Sequence, residues 1–184
     1  MRVIAGSARS LRLKTIEGMD TRPTQDRIKE TLFNMIQHNI AGCRFLDLFS
    51  GSGGIGIEAL SRGAKEVVFI ENARSPISCI RENLAHTKLQ DDAKVYQTDV
   101  VSGIHKLESQ GSCFDYIFMD PPYRKGFEEL VLRELDDSSL CGDNTVVIVE
   151  SSLDTEITDE DLSCLKILRV KEYKTNKHTF LQKR

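Results

Sequence analysis

The sequence lacks the usual marks of membrane, secreted and zinc-binding proteins. No apolar run in the 184 residues approaches the roughly 20 that a membrane-spanning helix needs. The N-terminal stretch MRVIAGSARSLRLK has no long apolar centre, so we expect no signal peptide. The five cysteines are scattered and form no Cys-x-x-Cys pair, which argues against a zinc site or a disulfide framework. These absences predict a cytoplasmic protein with reduced thiols, no membrane partner and no bound metal.

The chain also lacks the positive charge of a strongly basic nucleic-acid-binding protein. Its 25 Lys and Arg residues against 28 Asp and Glu give a net charge of −3. The distribution is uneven, because residues 1–16 and 166–184 are rich in Lys and Arg, whereas 150–161 contains acids and no base. Cationic ends could approach phosphates, but ordinary solvated surface charge explains them equally well.

The spacing of apolar segments predicts an α/β fold. Five short runs rich in Val, Ile and Phe alternate with helical segments: CRFLDLF, EVVFIE, AKVYQTD, FDYIFMD and NTVVIVES. This alternation is typical of a doubly wound, mostly parallel sheet that helices cover on both faces. Two further segments, LKILRVKEYK and KHTFLQK, flank the dipeptide TN and predict an antiparallel hairpin at one edge. We therefore expect a seven-stranded sheet.

Two elements precede this alternation. The stretch RVIAGSARSLRLKTIEG predicts a short β-hairpin, which makes residues 1–22 an N-terminal extension. The stretch TRPTQDRIKETLFNMIQ predicts a helix capped by Thr24, with Asp26 in its first turn. We expect a single domain over 1–184, of which 23–184 form the catalytic core.

A glycine-rich loop follows the first parallel strand and opens a helix. In DLFSGSGGIG, three glycines have Gly-x-Gly-x-x-Gly spacing, which permits a tight turn and lets a ligand lie close to the backbone. Taken alone, the motif fits equally well a turn that only packs a helix on a strand.

Acidic residues end three consecutive strands and narrow the choice of ligand. Asp47, Glu71 and Asp99 lie where strands end, the edge at which doubly wound sheets bind ligands. Glu71 can accept hydrogen bonds from a ribose diol. Asp47 would repel a pyrophosphate by roughly 3 kcal/mol at ~5 Å, whereas it would attract the ammonium and sulfonium of S-adenosylmethionine. The pattern therefore favours S-adenosylmethionine over NAD, and disfavours an NAD-linked oxidoreductase.

The segment MDPPY, at the end of the fourth parallel strand, suggests the reaction. Asp120 can accept a hydrogen bond from an amino group, and Pro121 and Pro122 fix φ and remove two N–H donors. Tyr123 offers a ring on which a base can stack. Such a set can aim the delocalised lone pair of an amine at a methyl carbon, and its target base must leave the stack. The alternative is a plain strand-ending turn.

Longer stretches resemble a known family. DLFSGSGGIGIEALSRGA, FIEN and MDPPY resemble class I S-adenosylmethionine-dependent methyltransferases. VIAGSARSLRL, RPTQDRIKETLFNMI and DPPY together are similar to the RsmD family of 16S ribosomal RNA guanine-N2 methyltransferases. One departure is AGSARS, where the family often has GG-x-x-[RK]-G. The resemblance implies N2-methylation of one guanine in bacterial small-subunit ribosomal RNA, within an assembling subunit. We expect the enzyme to be a monomer.

The resemblance also implies roles for single residues. The cofactor would be held by Asp47, Ser50, Gly51, Ser52, Gly53, Glu71, Asn72, Asp99 and Val100. The catalytic segment would be Asp120, Pro121, Pro122 and Tyr123, and the RNA contacts would be Arg9, Arg22, Thr24 and Tyr123. The alternative for Arg22 and Thr24 is that they only fix the start of the first helix.

Other functions stay open at this point. An amino-methyltransferase could act on adenine N6 in DNA or RNA, or on protein glutamine, although those relatives more often carry Asn before the two prolines. A catalytically silent RNA-binding assembly factor would keep the same fold. The four histidines are isolated in the sequence, and we expect them to be surface or packing residues.

Overall fold

The computed structural model describes residues 1–16 and 23–183, without the side chains of Pro23 and Thr24. The α-helices of this part are α1 (Pro23–Ile36), α2 (Gly54–Ser61), α3 (Arg74–Thr87), α4 (Val100–Ser109) and α5 (Phe127–Asp136). The strands are β1 (Arg44–Leu48), β2 (Glu66–Glu71), β3 (Ala93–Gln97), β4 (Phe114–Met119), β5 (Cys141–Ser152), β6 (Leu165–Glu172) and β7 (Asn176–Lys183).

The strands form a mixed sheet in the order β3-β2-β1-β4-β5-β7-β6. The pairs β1–β2, β2–β3 and β4–β5 are parallel, and β7 is antiparallel to both β5 and β6. This arrangement confirms the α/β class, the seven strands and the antiparallel C-terminal hairpin. The chain divides into two compact units, a first unit over Met1–Thr98 and a second unit over Asp99–Arg184.

The core of the first unit lies around β1 and β2. Phe45, Leu46, Val67 and Phe69 are fully buried, as expected for apolar residues inside strands of a parallel sheet. The register pairs Asp47 with Phe69, so the two parallel strands run side by side to their carboxyl ends. The loop after β1 and the end of β2 are thereby placed at one edge of the sheet.

The N-terminal segment, residues 1–16, is attached to helix α2. The two arms of the predicted hairpin pair antiparallel through a single bridge, Arg2 with Arg12. The turn between them lies on α2, where buried Glu58 accepts hydrogen bonds from the N–H groups of Ile4 (2.8 Å) and Ala5 (3.0 Å). A side-chain acceptor therefore takes the place of a partner strand at these residues.

Glu58 is a buried charge that two cations balance. Lys29 Nζ lies 3.3 Å from one carboxylate oxygen, and Arg62 Nε donates to the other at 2.8 Å. Burial lowers the pKa of Lys29, and the neighbouring Glu58 opposes that shift. Because an unpaired buried charge is strongly unfavourable, this cluster fixes the N-terminal segment, α1 and α2 relative to one another.

The second unit is organised by the register of β4, β5 and β7. Met119, the last residue of β4, pairs with Val149 of β5, and Glu150 of β5 pairs with His178 of β7. Asp120 thus follows β4 beside Glu150. Among the described residues, no helix combines the length and apolar content that crossing a bilayer requires.

Candidate functional site

The glycine loop between β1 and α2 is a tight turn with a left-handed backbone. Phe49 (φ 58°), Gly51 (φ 54°) and Gly53 (φ 79°) have positive φ, and the N–H of Gly53 donates to the carbonyl of Ser50 at 2.7 Å. A left-handed conformation costs about 1–3 kcal/mol at a bulky residue such as Phe49, and strain of this kind clusters at functional sites. The predicted glycine turn is present.

Glu71 closes this loop from the neighbouring strand. One of its carboxylate oxygens accepts a hydrogen bond from the N–H of Gly51 (3.0 Å), and the other accepts from the N–H of Ala73 (2.9 Å). A Cβ placed on Gly51 would meet nothing within 4 Å, so there is open space at the loop. The carboxylate and the backbone of Gly51 are therefore adjacent, as the spacing of 20 residues predicts.

Asp47 is buried at the foot of the loop. Its carboxylate accepts a hydrogen bond from the N–H of Gly56 at 2.9 Å, a group that the first turn of α2 cannot satisfy itself. Burial raises the pKa of Asp47 to about 7, the Gly56 hydrogen bond opposes the rise, and the charge of Glu71 adds to it. Asp47 therefore fixes the loop to the helix, at an energetic cost when it is ionised.

The two serines of the loop are turned towards the protein. The Ser50 hydroxyl donates to the carbonyl of Asp47 (2.6 Å) and lies 3.1 Å from the carbonyl of Ile70. The carbonyl of Ser52 accepts a hydrogen bond from the side chain of Asn83 (3.0 Å). Both serines are buried, and the loop is held through the Ser50 hydroxyl and the Ser52 carbonyl.

Asn83 on α3 is a residue that the sequence interpretation missed. Besides Ser52, its side chain binds both backbone groups of Lys14, accepting from the N–H at 2.8 Å and donating to the carbonyl at 3.0 Å. It is only 1% exposed. A polar residue on the buried face of α3 was the available signal. One side chain thus joins the N-terminal segment to the glycine loop.

Three further predicted cofactor residues lie at strand ends. Asn72 follows β2 and is exposed. In the second unit, Asp99 caps helix α4 by accepting a hydrogen bond from the N–H of Ser102 at 3.0 Å, which lowers the pKa of the Asp99 carboxyl. Val100 is buried in the first turn of that helix.

The DPPY segment, residues 120–123, presents an acid and an aromatic ring beside a strand end. Asp120 is exposed, Pro121 is buried and Pro122 is exposed. Tyr123 is 45% exposed, which is high for a large aromatic side chain. Burial of the rest of the side chain raises the pKa of the Tyr123 phenol, and the negative charges of Asp120, Glu150 and Glu128 raise it further. The phenol is therefore neutral at pH 7, with part of its surface open to solvent.

Beside this segment, Glu150 is held by two side chains from β7. His178 Nε2 lies 3.0 Å from one carboxylate oxygen, and the side-chain amide of Asn176 donates to the other. His178 Nδ1 in turn lies 3.1 Å from the hydroxyl of Tyr173. The sequence suggests an isolated histidine, because its partner is 28 residues away and only the β5–β7 register brings them together.

The predicted RNA contacts are only partly described. Arg9 is exposed in the N-terminal segment. Arg22 and the side chain of Thr24 lie outside the described residues. Within the described ranges, no group of three or more His, Cys, Asp or Glu residues has an arrangement that could hold a metal ion.

Comparison with known proteins agrees with this architecture. Residues 1–182 match the family described as conserved hypothetical protein 95. Protein YlbH of Bacillus subtilis is 37% identical over 159 residues, which cover 86% of each chain. Ribosomal RNA small subunit methyltransferase D of Escherichia coli K12 is 35% identical over 154 residues, which cover 84% of this chain and 76% of that protein.

A solved structure is similar along the whole length. The Escherichia coli protein yhhF has a TM-score of 0.84 and 30% identity, covering 100% of this chain and 98% of that one. The chain therefore belongs to the conserved hypothetical protein 95 family, the RsmD family, and is a methyltransferase of the S-adenosylmethionine-dependent class.

Proposed function

We propose that this enzyme transfers a methyl group from S-adenosylmethionine to the exocyclic N2 amine of a guanine in bacterial small-subunit ribosomal RNA. The enzyme acts as a cytoplasmic monomer on an assembling small subunit. Membership in the RsmD family supports the choice of ribosomal RNA. The observation that carries the proposal is the DPPY segment, in which an exposed carboxylate and a half-exposed tyrosine follow the buried strand β4.

The glycine loop fits the proposed cofactor. Open space at Gly51 allows a ligand to lie against the backbone, and the Glu71 carboxylate beside it can accept hydrogen bonds from a ribose diol. The buried Asp47 would gain a favourable neighbour in a cationic ligand, because burial makes its ionised form unfavourable. Ser50, Ser52 and Gly53 shape the loop, and Asn72, Asp99 and Val100 complete the proposed cofactor residues.

When bound, S-adenosylmethionine supplies a methyl carbon made electrophilic by a sulfonium. The protein has to aim a weak nucleophile, since the lone pair of the N2 amine is delocalised into the purine. In the proposed mechanism Asp120 accepts a hydrogen bond from one amine N–H and so orients that lone pair. Tyr123 stacks on the base. Pro121 and Pro122 limit the backbone freedom of the segment.

The reaction needs no covalent intermediate with the enzyme. The bound cofactor would supply the methyl group and would keep the electron pair of the broken S–C bond on sulfur, so the amine would have one proton to lose. Asp120, which is exposed, takes this proton or passes it to water. The products are methylated guanine, S-adenosylhomocysteine and one proton.

The N-terminal segment is the proposed RNA contact of the first unit. Arg9 and Arg12 are exposed on it, so they can reach phosphates, while the Glu58 cluster holds the segment in place. Arg22 and Thr24 are assigned to the same RNA contact by the family resemblance. Tyr123 contributes the stacking contact.

A direct test uses small-subunit particles from a strain that lacks the gene. Incubation with tritiated S-adenosylmethionine, followed by nucleoside analysis, is expected to give N2-methylguanosine. Formation of N6-methyladenosine would instead support the alternative function, methylation of adenine N6. No transfer to any of the particles, together with retained RNA binding, would favour a silent assembly factor.

Two variants separate the proposed roles. Asp120→Ala is expected to abolish methyl transfer and to leave cofactor affinity within a few-fold, measured by calorimetry. Glu71→Ala is expected to weaken cofactor binding by about 1–3 kcal/mol, a typical loss for a hydrogen bond to a charged group. Full activity of the Asp120 variant would show that the assigned role is wrong.

A further inference from the structure

We propose that Glu150 recognises the N1–H of the target guanine and thereby selects guanine over adenine. This inference rests on the proposed function and assigns the step that chooses the base. It concerns a carboxylate on β5, outside the DPPY segment.

The position of Glu150 follows from the β4–β5 register. Met119 pairs with Val149, so Asp120 and Glu150 are the next residues on two neighbouring parallel strands. The charges of Asp120 and Glu150 both act on Tyr123, which is consistent with a common location around that ring. A base stacked on Tyr123 would therefore have two carboxylates near its edge.

Glu150 has acceptor capacity to spare. Each of its oxygens accepts one hydrogen bond, from Asn176 and from His178, whereas a carboxylate offers about four acceptor positions. Its side chain is 17% exposed, so the group is partly open, although the histidine that holds it is only 1% exposed. Glu150 is therefore a fixed acceptor that a ligand can reach.

The hydrogen-bond chain behind Glu150 fixes its geometry. His178 must present Nε2–H to the carboxylate if the Tyr173 hydroxyl donates to Nδ1, and this assignment gives both ring nitrogens a partner. Phe118 and Phe180 pack edge-on against the same imidazole, with centroid distances of 6.0 and 6.4 Å. A carboxylate held in this way does not need to reorganise when a base arrives.

The chemistry of the base edges explains the proposed selection. Guanine presents N1–H and the N2 amine side by side, two donors that match carboxylate acceptors. Adenine presents an acceptor at N1 next to its amine, which a carboxylate would repel. A site built to accept a hydrogen bond rejects analogues that lack the donor by as much as ~10⁴-fold. Asp120 orients the amine, and Glu150 accepts a hydrogen bond from N1–H only when the base is guanine.

The experiment compares two bases that both carry the 2-amine. Small-subunit particles are assembled with 16S ribosomal RNA that has guanine or 2-aminopurine at the methylated position, and single-turnover methylation rates are measured. 2-Aminopurine lacks the N1–H. We expect the wild-type enzyme to prefer guanine by at least about 100-fold. Equal rates on the two bases would overturn the inference, whatever any variant does.

Glu150→Gln isolates the N1 contact, because a glutamine can donate to the N1 of 2-aminopurine. We expect the rate on guanine to fall by at least about 100-fold and the preference for guanine over 2-aminopurine to narrow by at least about tenfold. Glu134→Gln is the matched control, since Glu134 also lies 2.9 Å from a histidine, His105, on an exposed surface. We expect that variant to behave as the wild type.

The outcomes separate this inference from the proposed function. The inference would be overturned if the Glu150 variant lost the same fraction of its methylation rate on guanine and on 2-aminopurine. It would also be overturned if the Glu134 variant showed the same loss of rate as the Glu150 variant. Either result would show that Glu150 has a merely structural role. In either case the wild-type protein would still form N2-methylguanosine, so the proposed function would stand. A wild-type protein that methylates no guanine would overturn both.

Discussion

The side-chain amide of Asn83 donates a 3.0 Å hydrogen bond to the carbonyl of Ser52 while it also binds both backbone groups of Lys14. The glycine loop and the N-terminal segment are far apart in the sequence, and this single buried side chain connects them. Asn83 is hydrogen-bonded through both its oxygen and its nitrogen, so the connection has a defined geometry.

Replacement of Asn83 by alanine is expected to weaken both folding and cofactor binding. The change leaves backbone groups of Lys14 and Ser52 without their partner, and each unsatisfied buried group costs about 1–3 kcal/mol. Urea unfolding should show the loss of stability, and calorimetry should show weaker S-adenosylmethionine binding. Arg81→Ala, an exposed change on the same helix, is the control for both measurements. Unchanged cofactor affinity in the Asn83 variant would mean that the loop holds its shape without this side chain.

Asp47→Asn is expected to stabilise the protein at alkaline pH. The pKa of Asp47 is raised from 3.8 to about 7, so between these pH values the unfolded chain has lost a proton that the native state retains. The free energy of unfolding therefore falls as pH rises through this window, by as much as about 4 kcal/mol. Asparagine does not ionise and can still accept from Gly56. Urea unfolding at pH 4 and pH 8 should thus show a difference between variant and wild type that grows with pH.

Asp99→Asn is expected to change the free energy of unfolding in the opposite direction to Asp47→Asn. Hydrogen bonds from the start of α4 lower the pKa of Asp99, so its stabilising contribution is present above the unfolded-state pKa and is lost as pH falls. This variant should be less stable than the wild type at pH 8, and the difference should shrink towards acidic pH. An Asp47 variant that follows the same trend as the Asp99 variant would contradict the assigned cause.

Much of the fold was predictable because it depends on local pattern. Continuous apolar runs such as those around Phe45 and Phe69 indicate buried parallel strands, and both residues are fully buried. The glycine spacing predicted the loop at Gly51, and the interval to Glu71 predicted a carboxylate beside it. These relations involve neighbouring elements whose order along the chain is also their order in space.

The remaining features depend on contacts that no local pattern contains. Glu58 lies in a helix whose other residues are mostly buried, and its role appears only when Ile4 and Ala5 come to it from 54 and 53 residues away. His178 is isolated in the sequence, and only the β5–β7 register places Glu150 opposite it. A charged or polar residue on an apolar face therefore predicts that a partner exists, without identifying it.

Arg9→Gln and Arg12→Gln are expected to weaken RNA binding through charge alone. Both side chains are exposed on the N-terminal segment. If each contacts a phosphate, its removal should reduce the slope of log affinity against log salt by about 1. Cofactor affinity should not change, because the replaced groups are not part of the glycine loop. Lys88→Gln, an exposed change at the end of α3, is the control. Slopes identical to the wild type would show that this segment does not contact phosphates.

Gly6→Ala is expected to release the N-terminal segment from α2. Gly6 has φ 84°, and a Cβ added there would lie 1.7 Å from the backbone carbonyl oxygen of Ser61, which cannot move aside cheaply. Gly42 has nearly the same φ, 81°, but a Cβ there would meet nothing within 4 Å. Both alanine variants therefore carry the left-handed strain of about 1 kcal/mol, and only Gly6→Ala adds a collision.

Urea unfolding should show a clearly larger loss in the free energy of unfolding for Gly6→Ala than for Gly42→Ala. Limited proteolysis should also cut residues 1–16 of the Gly6 variant faster. Equal losses in the two variants would mean that the segment is not fixed on α2 at Gly6.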